Sequence, residues 1–92
     1  MQKERRALEA LRAGNFDTAA ELLKDVVSEN HYSSHVLNHA YTVALYRAQM
    51  RSELAAASFE IGDRSRERDP AIAMDYFSAV FSADYLQKRF CI

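Results

Sequence analysis

Hydrophobic positions recur along the chain with the spacing of α-helices, and the longest largely apolar segment is His35–Met50. On a helical wheel, its apolar residues cover two broad sides and leave one narrow polar stripe. A helix that is apolar on two sides needs a packing neighbour on each of them. We therefore predict that this segment is the central helix of the fold. The polar stripe consists of His35, Asn38, His39, Thr42, Tyr46 and Gln49.

Two shorter amphipathic helices are predicted before this segment, over residues 2–13 and 17–29. Gly14, between them, tolerates the left-handed backbone that commonly ends a helix. Asp17 or Thr18 is a candidate N-cap for the second helix, and Thr18 with Glu21 three residues later has the spacing of a capping box. Because so few residues join the two helices, we expect them to pack antiparallel as a hairpin.

Residues 30–34 are predicted to form the turn before the central helix. Asn30 is a residue type that adopts the left-handed conformation after a helix, so we expect it to end the second helix. Ser33 or Ser34 is a suitable N-cap for the central helix.

The end of the central helix is weakly marked, because residues 49–52 contain neither glycine nor proline. Ser52 is a candidate N-cap for a fourth helix over residues 53–66. The alternative is one continuous helix through Arg64, but such a helix would have about thirty residues, against a mean of about twelve. We therefore predict a break near Arg51.

Asp69 and Pro70 form the clearest helix start in the chain. Aspartate caps helices well, and proline at the first helical position loses only an N–H group that has no partner there. A fifth helix is therefore predicted over residues 70–90, either continuous or with a restart at Asp84. Its aromatic side chains outnumber those that one face of a terminal helix needs for its own core, and they include Tyr76, Phe81, Tyr85 and Phe90.

The amino-acid composition limits which fold classes and which kinds of binding partner are expected. The chain has 92 residues, two glycines and one proline, which favours a single all-α domain over residues 1–92 with one core. A formal net charge of −1 indicates no general attraction to nucleic acid or to anionic membranes. No signal sequence or membrane-spanning run of about eighteen apolar residues is evident, so a cytoplasmic protein is expected. Cys91 is the single cysteine, which excludes an internal disulfide.

A repeated pattern links the first and the second half of the chain. The turn Gly14-Asn15-Phe16-Asp17 is followed, at spacings of four and three, by Ala19, Leu23 and Val26. The same spacing recurs 36 positions later at Ala55, Phe59 and Gly62. This pattern resembles the turn and second helix of a tetratricopeptide repeat, whose period is about 34 residues. The acidic residue and proline at Asp69-Pro70 are similar to the boundary between such repeats.

The resemblance implies five antiparallel helices stacked as about two and a half helical hairpins. Its repeats would be a first hairpin over residues 2–29, a second over residues 34–68 and a capping helix over residues 70–90. Tyr41 departs from the family pattern, since a small side chain is expected at its position. A general five-helix bundle is the alternative architecture.

No combination of residues in the sequence indicates catalysis or a cofactor. The glycines are isolated, and no nucleophile is paired with a base by spacing, so a non-enzymatic protein is expected. His31, His35 and His39 recur every four residues, a spacing that can chelate zinc, nickel or copper. The last two would lie one turn apart on the central helix, but no third ligand beside this pair is identifiable, so a metal site is retained only as an alternative hypothesis.

The resemblance to tetratricopeptide repeats implies a scaffold or interaction module that binds a protein or peptide partner in a groove. In that family the first helices of the repeats line the groove, which would place His35–Met50 in its middle. The predicted partner-binding residues are therefore the six residues of the polar stripe. The stripe carries no lysine or arginine, which argues against recognition of an acidic peptide terminus. The alternative is a homodimer that uses Tyr76, Phe81, Tyr85 and Phe90 as its interface.

Overall fold

The structure is a computed structural model, and it describes the backbone of residues 2–81 and the side chains of residues 3–78. Over this range the chain is all-α, as predicted, with helices and turns and no strand. The described part contains five helices: α1 (Gln2–Arg12), α2 (Phe16–Glu29), α3 (His35–Arg47), α4 (Arg51–Ser65) and α5 (Pro70–Phe81). None of these helices is both long enough and apolar enough to cross a bilayer.

The chain forms two compact units, Met1–Met50 and Arg51–Ile92. In the first unit, α2 packs against both α1 and α3, and α1 also meets α3. Short turns join these helices, so neighbouring helices run antiparallel. The hairpin predicted over residues 2–29 corresponds to α1 and α2. The second hairpin, predicted over residues 34–68, spans the boundary between the units and stays a prediction.

The core of the first unit is built mainly from small and branched aliphatic side chains. Ala19, at 0% exposed surface, lets the helices approach closely, and Leu23 and Val27 fill the space between them. Its other buried apolar residues are Ala7, Ala20, Val26, Leu37, Tyr41, Ala44 and Leu45.

The turn after α1 is closed by a pair of backbone hydrogen bonds typical of a Schellman motif. The N–H of Gly14 donates to Leu11 O at 3.2 Å, and the N–H of Asn15 donates to Ala10 O at 2.9 Å. Gly14 has φ +82°, and a Cβ there would meet nothing within 4 Å, so backbone conformation rather than space requires the glycine.

The same two hydrogen bonds close α2 and α3 without glycine. After α2, His31 N–H donates to Ser28 O at 3.2 Å and Tyr32 N–H donates to Val27 O at 2.8 Å. The expectation that Asn30 is the left-handed residue is wrong: its φ is −96°, whereas His31 and Tyr32 both have φ 58°. Because α2 continues through Glu29, the left-handed position of the motif falls one residue after Asn30.

The predicted break after the central helix is confirmed, although its cause differs from the expected one. Gln49, with φ 60°, takes the left-handed position, and its N–H donates to Tyr46 O at 3.1 Å. The helix α3 therefore ends at Arg47. Ser52, the predicted N-cap, instead lies in the first turn of α4, which begins at Arg51.

The capping box predicted for α2 is wrong, because the helix begins at Phe16. Thr18 therefore lies in the first turn rather than before it. The N-cap is Asn15, whose side chain makes no capping hydrogen bond. Asn15 is also the last residue of the turn that closes α1, so no further residue lies between that turn and α2 to act as a cap. For α3, Ser34 is confirmed as the N-cap, and its side chain accepts a hydrogen bond from Leu37 N.

The second unit consists, in its described part, of α4 packed against α5. The two helices are in tight contact at Gly62, where a Cβ would lie 2.8 Å from two ring carbons of Phe77 and 3.2 Å from Ala73 O. Phe59, one turn before Gly62, stacks obliquely on Phe77 with ring centroids 5.9 Å apart. Buried apolar residues of this unit are Leu54, Ala57, Ile61, Ala73 and Tyr76.

The predicted start of α5 is confirmed. Asp69 Oδ1 accepts a hydrogen bond from Ile72 N at 3.2 Å, and Pro70 occupies the first helical position. This satisfies one of the N–H groups that a helix start leaves without a partner. The helix is described as far as Phe81, so its predicted continuation to residue 90 lies outside the described residues.

Helix ends recur at nearly constant intervals along the described chain. The first four helices end at Arg12, Glu29, Arg47 and Ser65, which are 17, 18 and 18 residues apart. A regular succession of helices of similar length is compatible with a helical-repeat architecture.

Candidate functional site

The structure does not keep the six residues of the predicted polar stripe on one accessible surface. Asn38 and Thr42 have 0% exposed surface, whereas His35 and Gln49 are exposed. His39 and Tyr46 are half-buried. The interpretation of the stripe as an open groove wall is therefore wrong for Asn38 and Thr42, which have no surface to offer a partner in this structure.

Asn38 and Thr42 each form a hydrogen bond close to their own positions in the chain. Asn38 Nδ2 donates to Tyr32 O at 2.9 Å, which ties the preceding turn to the first turns of α3. Thr42 Oγ1 donates to His39 O at 2.8 Å, within the helix itself. A polar group that bonds a backbone carbonyl is buried at a lower cost than an unpaired one, and this holds for Thr42 Oγ1 and Asn38 Nδ2. Asn38 Oδ1 is also buried and has no hydrogen-bond partner among the described residues. Both side chains thus act in the fold of this unit.

The accessible face of α3 lies about one third of a turn away from the predicted stripe. Val36 is 75% exposed and is one of the most exposed large apolar side chains in the described chain. Ala40 and Val43 follow it at spacings of four and three and are partly exposed, and Arg47 is exposed at the end of the helix. We name this surface the α3 face; it consists of Val36, Ala40, Val43 and Arg47.

Sequence reasoning missed the α3 face because α3 carries apolar residues on opposite sides. Leu37, Tyr41 and Leu45 recur every four residues and are all buried. Their larger side chains indicate the inward side, since burying more apolar area is more favourable. In α3, the size of the apolar side chains therefore indicates which side is buried, whereas the pattern of polar residues does not.

The three histidines are not gathered into a metal site. His31 and His35 are exposed, and His39 is half-buried. No group of three or more histidine, cysteine, aspartate or glutamate residues that could hold a metal ion exists among the described residues. Cys91 lies outside the described residues.

The residues predicted as an oligomer interface are described only in part. Tyr76 is 2% exposed, so it packs inside the chain and offers no surface to a second copy. The side chains of Phe81, Tyr85 and Phe90 lie outside the described residues. Among the described side chains of the second unit, the exposed large apolar ones are Phe59 at 56% and Met74 at 63%.

Burial also perturbs the chemistry of Tyr76. Desolvation, reinforced by the negative charge of neighbouring Asp75, raises the pKa of the Tyr76 hydroxyl from 10.0 to about 12. A phenol with so high a pKa stays protonated at neutral pH. This shift therefore indicates a buried core residue, not a general base.

The first unit also has an open cleft of about 410 Å³ beside the α1–α2 turn and the end of α3. Arg47 is the cationic side chain of its wall and Asp17 is the anionic one. The remaining lining residues are Gly14, Asn15, Phe16, Thr18, Ala48 and Gln49. Because the cleft is open and carries both a positive and a negative side chain, its charge favours neither anionic nor cationic small ligands. Arg47 belongs both to this cleft and to the α3 face.

Comparison with known proteins adds no relative to this description. No protein-family model, curated protein or solved structure matches the chain.

Proposed function

We propose that this chain is a non-catalytic interaction module that binds a protein partner on the α3 face. The observation that supports this proposal is the exposure of Val36, at 75%, in line with the partly exposed Ala40 and Val43. An apolar row at spacings of four and three is the arrangement with which one helix recognises another. A partner that covers this row would remove apolar surface from water, which favours association.

The regular spacing of the helix ends is consistent with this proposal. Helical-repeat proteins stack similar helical units and use the exposed faces of successive helices as extended binding surfaces. The resemblance to tetratricopeptide repeats belongs to this proposal, with α3 as the recognition helix. Unlike the six-residue stripe, the proposed surface excludes the buried Asn38 and Thr42.

A copurification experiment tests the proposed function. The tagged full chain and its Val36→Asp variant would be isolated from the cells that produce the protein, and bound proteins would be quantified by mass spectrometry. Loss of a reproducible partner from Val36→Asp supports the α3 face. The matched control is Ala56→Asp, which introduces the same charge at an exposed position of α4.

The outcome depends on both variants remaining folded, which circular dichroism and thermal melting establish. A partner retained by folded Val36→Asp, or lost equally from Ala56→Asp, contradicts binding through the α3 face.

Self-association is a second candidate function, supported by the exposure of Phe59 and Met74 in the second unit. Under this proposal, a light-scattering mass at micromolar concentration corresponds to a dimer. The Met74→Glu variant is then expected to be a monomer, because a carboxylate would have to be buried in the interface. A monomeric wild-type chain would rule out this function at that concentration.

A further inference from the structure

Acidic residues are unevenly distributed in the first unit: α1 and α2 contain them and α3 does not. Every aspartate and glutamate before residue 50 lies on α1 or α2, and residues 30–52 contain none. The same 23-residue segment contains all three histidines and two arginines, Arg47 and Arg51. An acidic partner that approaches α3 therefore meets no carboxylate on that helix.

The acidic residues of α2 accentuate this difference. They recur every four residues and are all exposed: Asp17, Glu21, Asp25 and Glu29. Lys3 of α1 lies 3.4 Å from Asp25 Oδ2 and 3.7 Å from Glu29 Oε1, so one end of this row is partly neutralised within the unit. The outer side of α2 is acidic, and the first residue of its row, Asp17, lines the same cleft as Arg47. The α3 face is apolar, ends in the cation Arg47 and contains no carboxylate of its own.

The position of Arg47 bears on whether the partner is acidic or basic. The polar stripe contains no lysine or arginine, which would argue against an acidic ligand only if the stripe were the accessible side of α3. In the structure Arg47 lies on the accessible side, in line with Val36 and Val43.

From this arrangement we infer that the partner is an acidic amphipathic helix, and this inference rests on the proposed function. At 1.5 Å per residue, Val36 and Val43 are about 10 Å apart along α3, and Arg47 lies about 6 Å further on. A partner helix of about three turns spans this distance. Its apolar residues at positions i, i+4 and i+7 cover the valine and alanine row, and an aspartate or glutamate one turn beyond them reaches Arg47.

The two parts of the surface contribute differently to binding. The apolar row supplies most of the affinity, because an exposed ion pair between Arg47 and a carboxylate contributes little. The charge instead selects acidic over basic partners and accelerates their association. Removal of Arg47 should therefore change selectivity more than it changes total binding.

A peptide-display selection against the immobilised full chain tests this inference. The library would present 18-residue helix-forming peptides with leucine fixed at i, i+4 and i+7. The flanking positions would vary among glutamate, lysine, glutamine and alanine. At pH 7.5 and low salt, glutamate is expected to be enriched over lysine beside the leucine row. By fluorescence anisotropy, the selected acidic peptide should bind about tenfold more tightly than its glutamate-to-lysine counterpart.

Two charge-reversal variants separate the role of Arg47 from a general effect of protein charge. Arg47→Glu is expected to abolish or reverse the tenfold preference. Arg5→Glu makes the same change of charge at an exposed position of α1 and should preserve the preference. Both side chains are exposed, and circular dichroism with thermal melting would verify that both variants fold.

The results distinguish failure of the inference from failure of the proposed function. If no selected peptide depends on Val36, as tested with Val36→Asp, binding through the α3 face is refuted. If peptides depend on Val36 but show no preference for glutamate, the acidic partner is refuted and the interaction module stands. The inference also fails if the preference survives Arg47→Glu.

Discussion

Gly62 of α4 packs tightly against Phe77 of α5: a Cβ on Gly62 would lie 2.8 Å from two carbons of the Phe77 ring. The glycine is helical, so its role there is to provide space and not a left-handed backbone. In a tightly packed pair of helices, one additional methyl group forces a side chain or a backbone segment to move.

We predict that Gly62→Ala destabilises the protein by about 1 kcal/mol or more, although alanine gains up to about 1 kcal/mol over glycine in an unconstrained helix. Urea denaturation followed by circular dichroism measures the effect. In a double-mutant cycle with Phe77→Leu, the smaller side chain should recover part of the loss. A Gly62→Ala variant more stable than the wild type would contradict the close packing of these helices.

His31 adopts φ 58° without being a glycine, and left-handed backbone is unfavourable for residues with a Cβ. We predict that His31→Gly stabilises the protein by about 0.5–1 kcal/mol, measured by urea denaturation. The matched control is Asn30→Gly. Asn30 has φ −96°, so glycine there relieves no strain and is expected to leave stability unchanged or lower it. A larger gain from Asn30→Gly than from His31→Gly would place the left-handed residue at Asn30.

Asn38 holds the α2–α3 turn through its hydrogen bond to Tyr32 O and has 0% exposed surface. We predict that Asn38→Ala destabilises the protein by about 1–2 kcal/mol, because it removes the hydrogen bond and leaves a small cavity, while loss of the unpartnered Oδ1 offsets part of this cost. His35→Ala, at an exposed position of the same helix, should change stability by less than about 0.5 kcal/mol. Equal thermal stability of the two variants would remove the structural role assigned to Asn38.

The raised pKa of Tyr76, about 12 against 10.0 for an unperturbed tyrosine, makes stability depend on alkaline pH. Above pH 10 the unfolded chain loses the phenolic proton while the folded chain keeps it, so the contribution of this group is complete below pH 10 and is lost as pH rises towards 12. The free energy of unfolding should fall by roughly 1.4 kcal/mol per pH unit from this group alone.

Tyr76→Phe removes this titration and retains the ring, so its unfolding free energy should fall less steeply over the same pH range. The remaining tyrosines and the lysines titrate in both proteins, which makes the difference between the two slopes the informative quantity. Identical slopes would show that the Tyr76 hydroxyl titrates normally in the folded protein.

Local chemistry explains why the order of the helices and most of their ends could be predicted. Gly14 closes α1, Ser34 caps α3, and Asp69 with Pro70 starts α5, each through hydrogen bonds within a few residues of sequence. The residues that take the left-handed positions after α2 and α3 were not predicted, although these turns are local as well. His31 and Gln49 occupy left-handed positions that are usually filled by glycine or asparagine, and their residue types do not indicate this.

By itself, the sequence determined that the chain is all-α and where its main breaks lie, because helix periodicity and end signals act over a few residues. Only the tertiary structure decided which side of α3 faces outward. That helix has apolar residues on opposite sides, and its buried Asn38 and Thr42 bond nearby backbone carbonyls, so the polarity pattern does not orient it. Packing of the larger Leu37, Tyr41 and Leu45 against the rest of the chain does, and it leaves Val36 and Arg47 on the accessible surface.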